Sequence, residues 1–423
     1  MGSETQAKLP VVDLSNENLK PGTEAWVLAS KQVKYALEEY GCFEAVFHKV
    51  PLQLHNSIFS MVEDLFDLPI ETKRQQTSER PYHSYFGQYS FLPLYESLGV
   101  DNPTTVEGAQ GFTKIMWPAG NDHFCESAQS FSKLVAELDQ MVTRMVFDIY
   151  GVERLYDSHM ASTTYLLRCF KYREQKENET NVGLRPHKDK TFTSILHQSQ
   201  VHGLQIRSKD GQWIDAEPSP SSFLVMAGDA FMAWSNDRVR SCDHQVIMKE
   251  NKTRYSLGLF SFNSGILEVP EELTDDQHPL LYKPFDHFGF LRFDQTPEAK
   301  KSDESAHSYS KLVAELDQMV TRMVFDIYGV ERLYDSHMAS TTYLLRCTKY
   351  RTQKINETNL GAAAHTDKNF TSILHENEVN GLQIKTKDGQ WIDVDLSPST
   401  FLFMGGDPFM VVDRSSSLLV LNK

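Results

Sequence analysis

Three short motifs carry side chains suited to metal chemistry. His187 and Asp189 stand two apart in RPHKDKTF, His244 lies in SCDHQVIM, and Arg254 and Ser256 stand two apart in KTRYSLGLF. Along an extended segment, residues two apart share a face, so each pair is expected to present both side chains together, with His187 and Asp189 at the entry to a strand. With 15 histidines in the chain, a lone His-x-Asp arises by chance about once. His244 and the Arg-x-Ser pair give it weight.

Two imidazoles and a carboxylate make the facial triad that holds non-haem Fe(II) and leaves three coordination positions open. A 2-oxo acid can chelate through two of them and O2 can take the third. Oxidative decarboxylation then supplies an oxidant able to remove hydrogen from a C–H bond. Ten residues past His244, on what reads as the next strand of a hairpin-like pair, the Arg254 guanidinium matches the far carboxylate of 2-oxoglutarate in a charge-assisted fork. Ser256 adds a hydroxyl. Cys242 reads as a small core residue rather than a ligand.

The elements that must position these groups fall into two kinds. TEAWVLASKQVKYALEEY spaces Trp26, Val27, Val33, Ala36, Leu37 and Tyr40 as a helix would and stops at Gly41. CFEAVFHKV follows as a β-like run. A second amphipathic helix opens at Pro51 and runs through Phe66, and a third spans Ser132–Tyr150. From Thr163 onward the pattern changes to short β-rich runs (TTYLLRCF, TFTSILH, GLQIRS, QWIDA, SFLVMAG, HQVIM, RYSLGLFSF) broken by turn residues. Such a run of short strands predicts a mainly β protein with α: an antiparallel jelly roll, or double-stranded β-helix, with the N-terminal helices packed outside.

The chain also repeats itself. Ser132–Cys169 recurs unchanged as Ser310–Cys347, and residues 170–232 match 348–410 at about two-thirds identity. One long unit with a partial copy is not a solenoid, which needs three or more stacked units. The reading favours a fused or truncated gene product, with residues 1–124 an N-terminal mixed region, 125–300 the jelly roll with its long helix, 301–412 an incomplete second copy, and 413–423 an unrelated tail. His365 and Asp367 keep the first two ligands and Tyr350 matches Tyr172. The third ligand position falls on Asn422 and the arginine position lies past Lys423, so this copy is not expected to function.

With these motifs the sequence resembles the plant 2-oxoglutarate- and Fe(II)-dependent dioxygenases over residues 7–300. LPVVDLS, YGCFEAV, GLQIRSKDGQWIDAEPSPSSFLVMAGD and RYSLGLFSF carry the likeness. ERPYHSYFGQY and HPLLYKPFDHFGFLRF make it most similar to the AOP type, whose members act on glucosinolate side chains, alongside gibberellin-oxidase-like relatives. The resemblance implies iron ligands at His187, Asp189 and His244, and a 2-oxoglutarate carboxylate site at Arg254 and Ser256. It implies Tyr172 as a further 2-oxoglutarate contact, although the family's Asn-Tyr-Tyr-Pro is here Phe170-Lys171-Tyr172-Arg173. Phe260 and Tyr85 correspond to positions that line substrate pockets, and core packing explains both equally well. Lys188 replaces a threonine between the ligands and is expected to point away from them. The implied cosubstrates are 2-oxoglutarate and O2, with ascorbate as reductant.

Composition limits the partners. A net charge of −15, from 42 basic and 57 acidic residues, argues against nucleic acid and anionic membranes. Five scattered cysteines suit free thiols in a reducing compartment. The absence of an apolar leader or an 18-residue apolar run adds to a cytoplasmic reading. Gln6 breaks the myristoylation pattern after Gly2. The expectation is a monomeric enzyme of plant secondary metabolism acting on a small molecule. The rival is an inactive pseudoenzyme or mis-fused product, a jelly roll that only binds.

Overall fold

The structure, a computed structural model, describes residues 8–422 except 178, 349, 351–360, 377–378, 380, 398–399 and 413–418, with backbone alone at 300–304, 410–412 and 419–422. The Met1-Gly2 terminus and most of the 413–423 tail lie outside the described residues. The chain forms two compact units that divide between Ala299 and Lys300.

In the first unit twelve strands build two sheets. They are β1 (Val11–Asp13), β2 (Cys42–Val46), β3 (Phe86–Gly87), β4 (Tyr95–Asp101), β5 (Thr163–Tyr172), β6 (Val182–Lys188), β7 (Thr193–Gln198), β8 (Leu204–Arg207), β9 (Trp213–Asp215), β10 (Ser222–Ala227), β11 (Asp243–Ile247) and β12 (Arg254–Asn263). The larger sheet runs β1-β2-β10-β7-β12-β5-β4-β3 and the smaller β6-β11-β8-β9. Alternation gives the larger sheet two apolar faces. On one, Tyr172, Phe170, Leu166, Phe260 and Met226 meet Leu204, Ile206 and Val246 of the smaller sheet. On the other, Leu167, Cys169, Ile195, Val225 and Leu259 meet the helices. This is the jelly roll with helices outside.

Several features depart from the sequence reading. β1 pairs parallel with β2, because the helix Glu24–Glu39 carries the chain back across between them. The third helix begins at Asp122, capped by the Asn121 side chain, ten residues before the repeated segment, so the boundary expected at 124/125 falls inside it. Strands β1–β4 also belong to the same sheet as the later strands, which joins the N-terminal region to the jelly roll. Val27, expected on the buried stripe, is exposed; Ala29 and Ser30 take that side instead. The helix ends as its glycine requires. Gly41 sits at φ +74, and a Cβ there would meet the Arg240 carbonyl at 2.5 Å.

The second unit holds the rest of the helix Pro297–Ile327, a short helix Tyr334–Ser340, and strands Thr371–Leu374, Leu382–Lys385, Trp391–Val394, Thr400–Gly405 and Leu419–Asn422. Thr371–Leu374 pairs with Thr400–Gly405, and Leu382–Lys385 with Trp391–Val394. These mirror β7 with β10 and β8 with β9.

Candidate active site

His187 and His244 are cross-strand neighbours in the smaller sheet, His187 near the end of β6 and His244 on β11. Asp189 is not on a strand. It lies in the turn that leaves β6 and crosses to β7 in the larger sheet, so the turn, and not strand alternation, turns its carboxylate toward the two rings. The Asp189 Oδ1 stands 3.6 Å from His187 Nε2 and 3.9 Å from His244 Nε2. One ligand atom from each of the three residues lies within 4.8 Å of the others.

The atoms behind the ligands fix which atoms face inward. His187 Nδ1 is 2.9 Å from the Arg185 carbonyl and His244 Nδ1 is 3.1 Å from the Cys242 carbonyl. A carbonyl only accepts, so each Nδ1 carries the proton and each Nε2 keeps a free lone pair. Ser194 donates to Asp189 Oδ2 at 2.6 Å and leaves Oδ1 for a metal. Burial, then the neighbouring His244, pushes His187 down to about 4, so the ring is neutral near pH 7 even though its side chain keeps 35% of its surface open to the cleft. Two imidazoles that each present an unprotonated Nε2 and one carboxylate are the donor set that suits Fe(II). Lys188 is exposed, and Cys242 is a buried free thiol.

Arg254 is not the hairpin partner of the histidine strand. It opens β12 in the opposite sheet, paired with Tyr172 at the end of β5. The residue is 2% exposed, and its guanidinium lies 5.1 Å from the Tyr172 ring centre. It donates to Ser256 Oγ and to Gln198 Oε1, each at 3.0 Å, while its buried Nε has no partner. Among the described residues no carboxylate lies within ion-pair distance of it. A buried cation held only by neutral acceptors is a costly arrangement that an incoming carboxylate corrects, which suits the far end of 2-oxoglutarate.

Phe260 shares the inter-sheet cluster with Tyr172 and Phe170. Tyr85 does not join it: its ring packs on the helix-side core, and its hydroxyl donates to Glu96, which also pairs with the buried Lys73. Tyr85 instead lines a cavity of about 290 Å³ with Arg74, Gln76 and Gln88, apart from the three ligands. Its chain neighbour Phe86 packs against the inter-sheet cluster. Sequence reasoning missed Ser194 and Gln198. Both stand on the inward face of β7, and because Thr193 and His197 of the same strand are polar too, their polarity alone gave no distinguishing signal.

In the second unit His365 and Asp367 reproduce the first two positions. His365 Nε2 is 3.6 Å from Asp367 Oδ1, His365 Nδ1 is 2.7 Å from the Ala363 carbonyl, and Ser372 donates to the other Asp367 oxygen. This pair lacks a third ligand among the described residues. Tyr350 is exposed.

Sequence comparison agrees with this geometry. The family model described as the 2OG-Fe(II) oxygenase superfamily matches residues 163–263 and 340–417, and one described as the N-terminal region of a non-haem dioxygenase in morphine synthesis matches 9–93. The chain is 44% identical over 311 residues to the probable 2-oxoglutarate-dependent dioxygenase AOP1.2 of Arabidopsis thaliana, covering 72% of this chain and 96% of that protein. It is 29% identical over 408 residues to the 2-oxoglutarate-dependent dioxygenase AOP3 of the same plant, covering 73% and 98%. Among solved structures, the Arabidopsis dioxygenase for auxin oxidation 1 in its 2-oxoglutarate complex superposes with a TM-score of 0.59 at 26% identity, covering 64% of this chain and all of that one.

Proposed function

The chain belongs to the 2OG-Fe(II) oxygenase superfamily, and from that premise we propose that its first unit oxidises a small plant metabolite while converting 2-oxoglutarate to succinate and CO2. His187, Asp189 and His244 hold Fe(II), which when bound supplies the O2 chemistry and the oxidation of a substrate C–H bond. Arg254 and Ser256 grip the distal carboxylate of 2-oxoglutarate. Tyr172 stacks against the guanidinium and narrows that end of the cleft. Phe260 borders the substrate space. The observation that carries the reading is the pairing of a converged His-Asp-His set with a buried arginine lacking a carboxylate.

The outcome, whether hydroxylation, desaturation or dealkylation, depends on where the substrate C–H bond is held, which the motifs do not constrain. Ascorbate keeps the metal reduced, and the free buried thiols Cys42, Cys169 and Cys242 support a reducing, cytosolic setting. Among the described residues no helix is long and apolar enough to cross a membrane. Residues 301–412 are a partial copy, in a fused product, whose described residues assemble no second three-ligand site. Adding 2-oxoglutarate to Fe(II)-loaded chain without O2 should produce a visible charge-transfer absorption, and admitting O2 should release succinate. A chain that binds both without either signal is the non-catalytic alternative.

A further inference from the structure

The repeated helix exists in two environments. At 132–149 its apolar side is covered: Leu138 and Met145 are fully buried, and Leu134 and Met141 pack on the core beneath the helices Glu24–Glu39 and Leu52–Asp67. At 310–327 the same sequence covers only its other side. Asp317, Val320, Thr321 and Phe325 are buried, with Asp317 accepting from Thr371 and Tyr343 of its own unit. The opposite side is bare: Leu312 is 64% exposed, Met319 56%, Met323 53% and Ile327 77%.

Leu312, Leu316, Met319 and Met323 alternate in steps of four, three and four, the a/d spacing of a helix-pairing seam. We propose that this stripe is a self-association surface whose occupant is the same stripe of a second copy of this chain, packed antiparallel about a two-fold axis. Each chain has one set of N-terminal helices, already engaged on the first helix, so two copies meet with the same uncovered face and both gain by burying it. The antiparallel order layers Leu312 on the second copy's Met323 and Leu316 on its Met319. It also sets Glu315 beside the second copy's Arg322 twice, the two pairs related by the two-fold axis, whereas a parallel order leaves both charges without an opposite partner across the seam. Both side chains are exposed, and among the described residues Arg322 otherwise reaches Asp326 at 3.6 Å and the Tyr334 ring. The inference departs from the monomer that the sequence suggested.

Sedimentation velocity of the full chain over roughly a hundredfold concentration range tests it. A monomer–dimer equilibrium is expected. Leu312→Glu/Met319→Glu should weaken it by about a hundredfold or more, because two charges then enter the seam. Glu315→Lys alone should weaken it several-fold, and Glu315→Lys/Arg322→Glu should restore it, a recovery that nonspecific aggregation does not show. A chain monomeric throughout, a dimer that survives Leu312→Glu/Met319→Glu, or a reversed pair that fails to recover each overturns the proposal. Succinate release measured on the same samples reports separately on the first unit and should not change.

Discussion

Residues 132–169 and 310–347 have one sequence and two structures. TTYLLRC is part of the ten-residue strand β5 in the first unit, where it lies between β4 and β12. In the second unit the same seven residues form no strand, and Leu344 is 79% exposed where its twin Leu166 is 1%. The difference is the neighbours. β4 precedes the repeated segment and β12 follows the point where the likeness stops, so among the described residues the second TTYLLRC meets neither neighbour. Where both partners recur, as for β7 with β10, pairing recurs too. The tyrosine–aspartate–threonine contacts recur as well, Tyr165 and Thr193 on Asp139 and Tyr343 and Thr371 on Asp317. Local sequence sets helices and short hydrogen-bond networks; a central strand is set by what flanks it.

The same contrast governs chemistry, and mutation can sharpen it. Arg254→Gln should raise the 2-oxoglutarate KM by about a hundredfold, the loss of a charge-assisted pair in a buried site. Steady-state succinate kinetics check this, and no residue of the second unit should give a comparable effect. Met145→Ala should destabilise the first unit by about 3 kcal/mol, while Met323→Ala, at the twin position, should change the stability of the dilute monomer by under about 0.5 kcal/mol. Denaturant unfolding of each variant compares them, and equal effects would mean that the second helix is as deeply packed as the first.

A smaller effect concerns acid. Burial holds His197 near 3 and His159 near 4 in the folded chain, below the ordinary histidine value. Their unfolded forms bind protons first, so the stability they allow is present above about pH 6.5 and is lost as pH falls toward those values, by about 2 kcal/mol each at pH 5. Asp139, pushed up to about 6 by burial, works the other way and returns about 1 kcal/mol over the same interval. Unfolding midpoints at pH 7 and 5 should show a net loss.

Much of this was legible in the sequence. The convergence of His187, Asp189 and His244, the polar pair Arg254 and Ser256, and the strand runs stood out because metal chemistry and β-pairing use few residue types at fixed spacings. What was not legible was sheet membership. Nothing local says that β11 and β12 lie in opposite sheets, and it is that separation which places Arg254 across the cleft from His244 instead of beside it. Asp189 does meet the two histidines, but a turn brings it there and not strand alternation, since a turn mimics the spacing of a strand. Tyr85 and Phe86 show the limit of resemblance: adjacent residues face opposite cores, and one step along the chain changes which of them meets the inter-sheet cluster.

The central claim is that one converged site, in the first unit, carries the reaction. Succinate release from 2-oxoglutarate by the full chain, compared between His244→Ala and His365→Ala, tests it most directly. His244→Ala should fall to background, a loss of roughly a thousandfold, and His365→Ala should match the unaltered chain. Turnover that survives His244→Ala, or that falls with His365→Ala, would contradict the account.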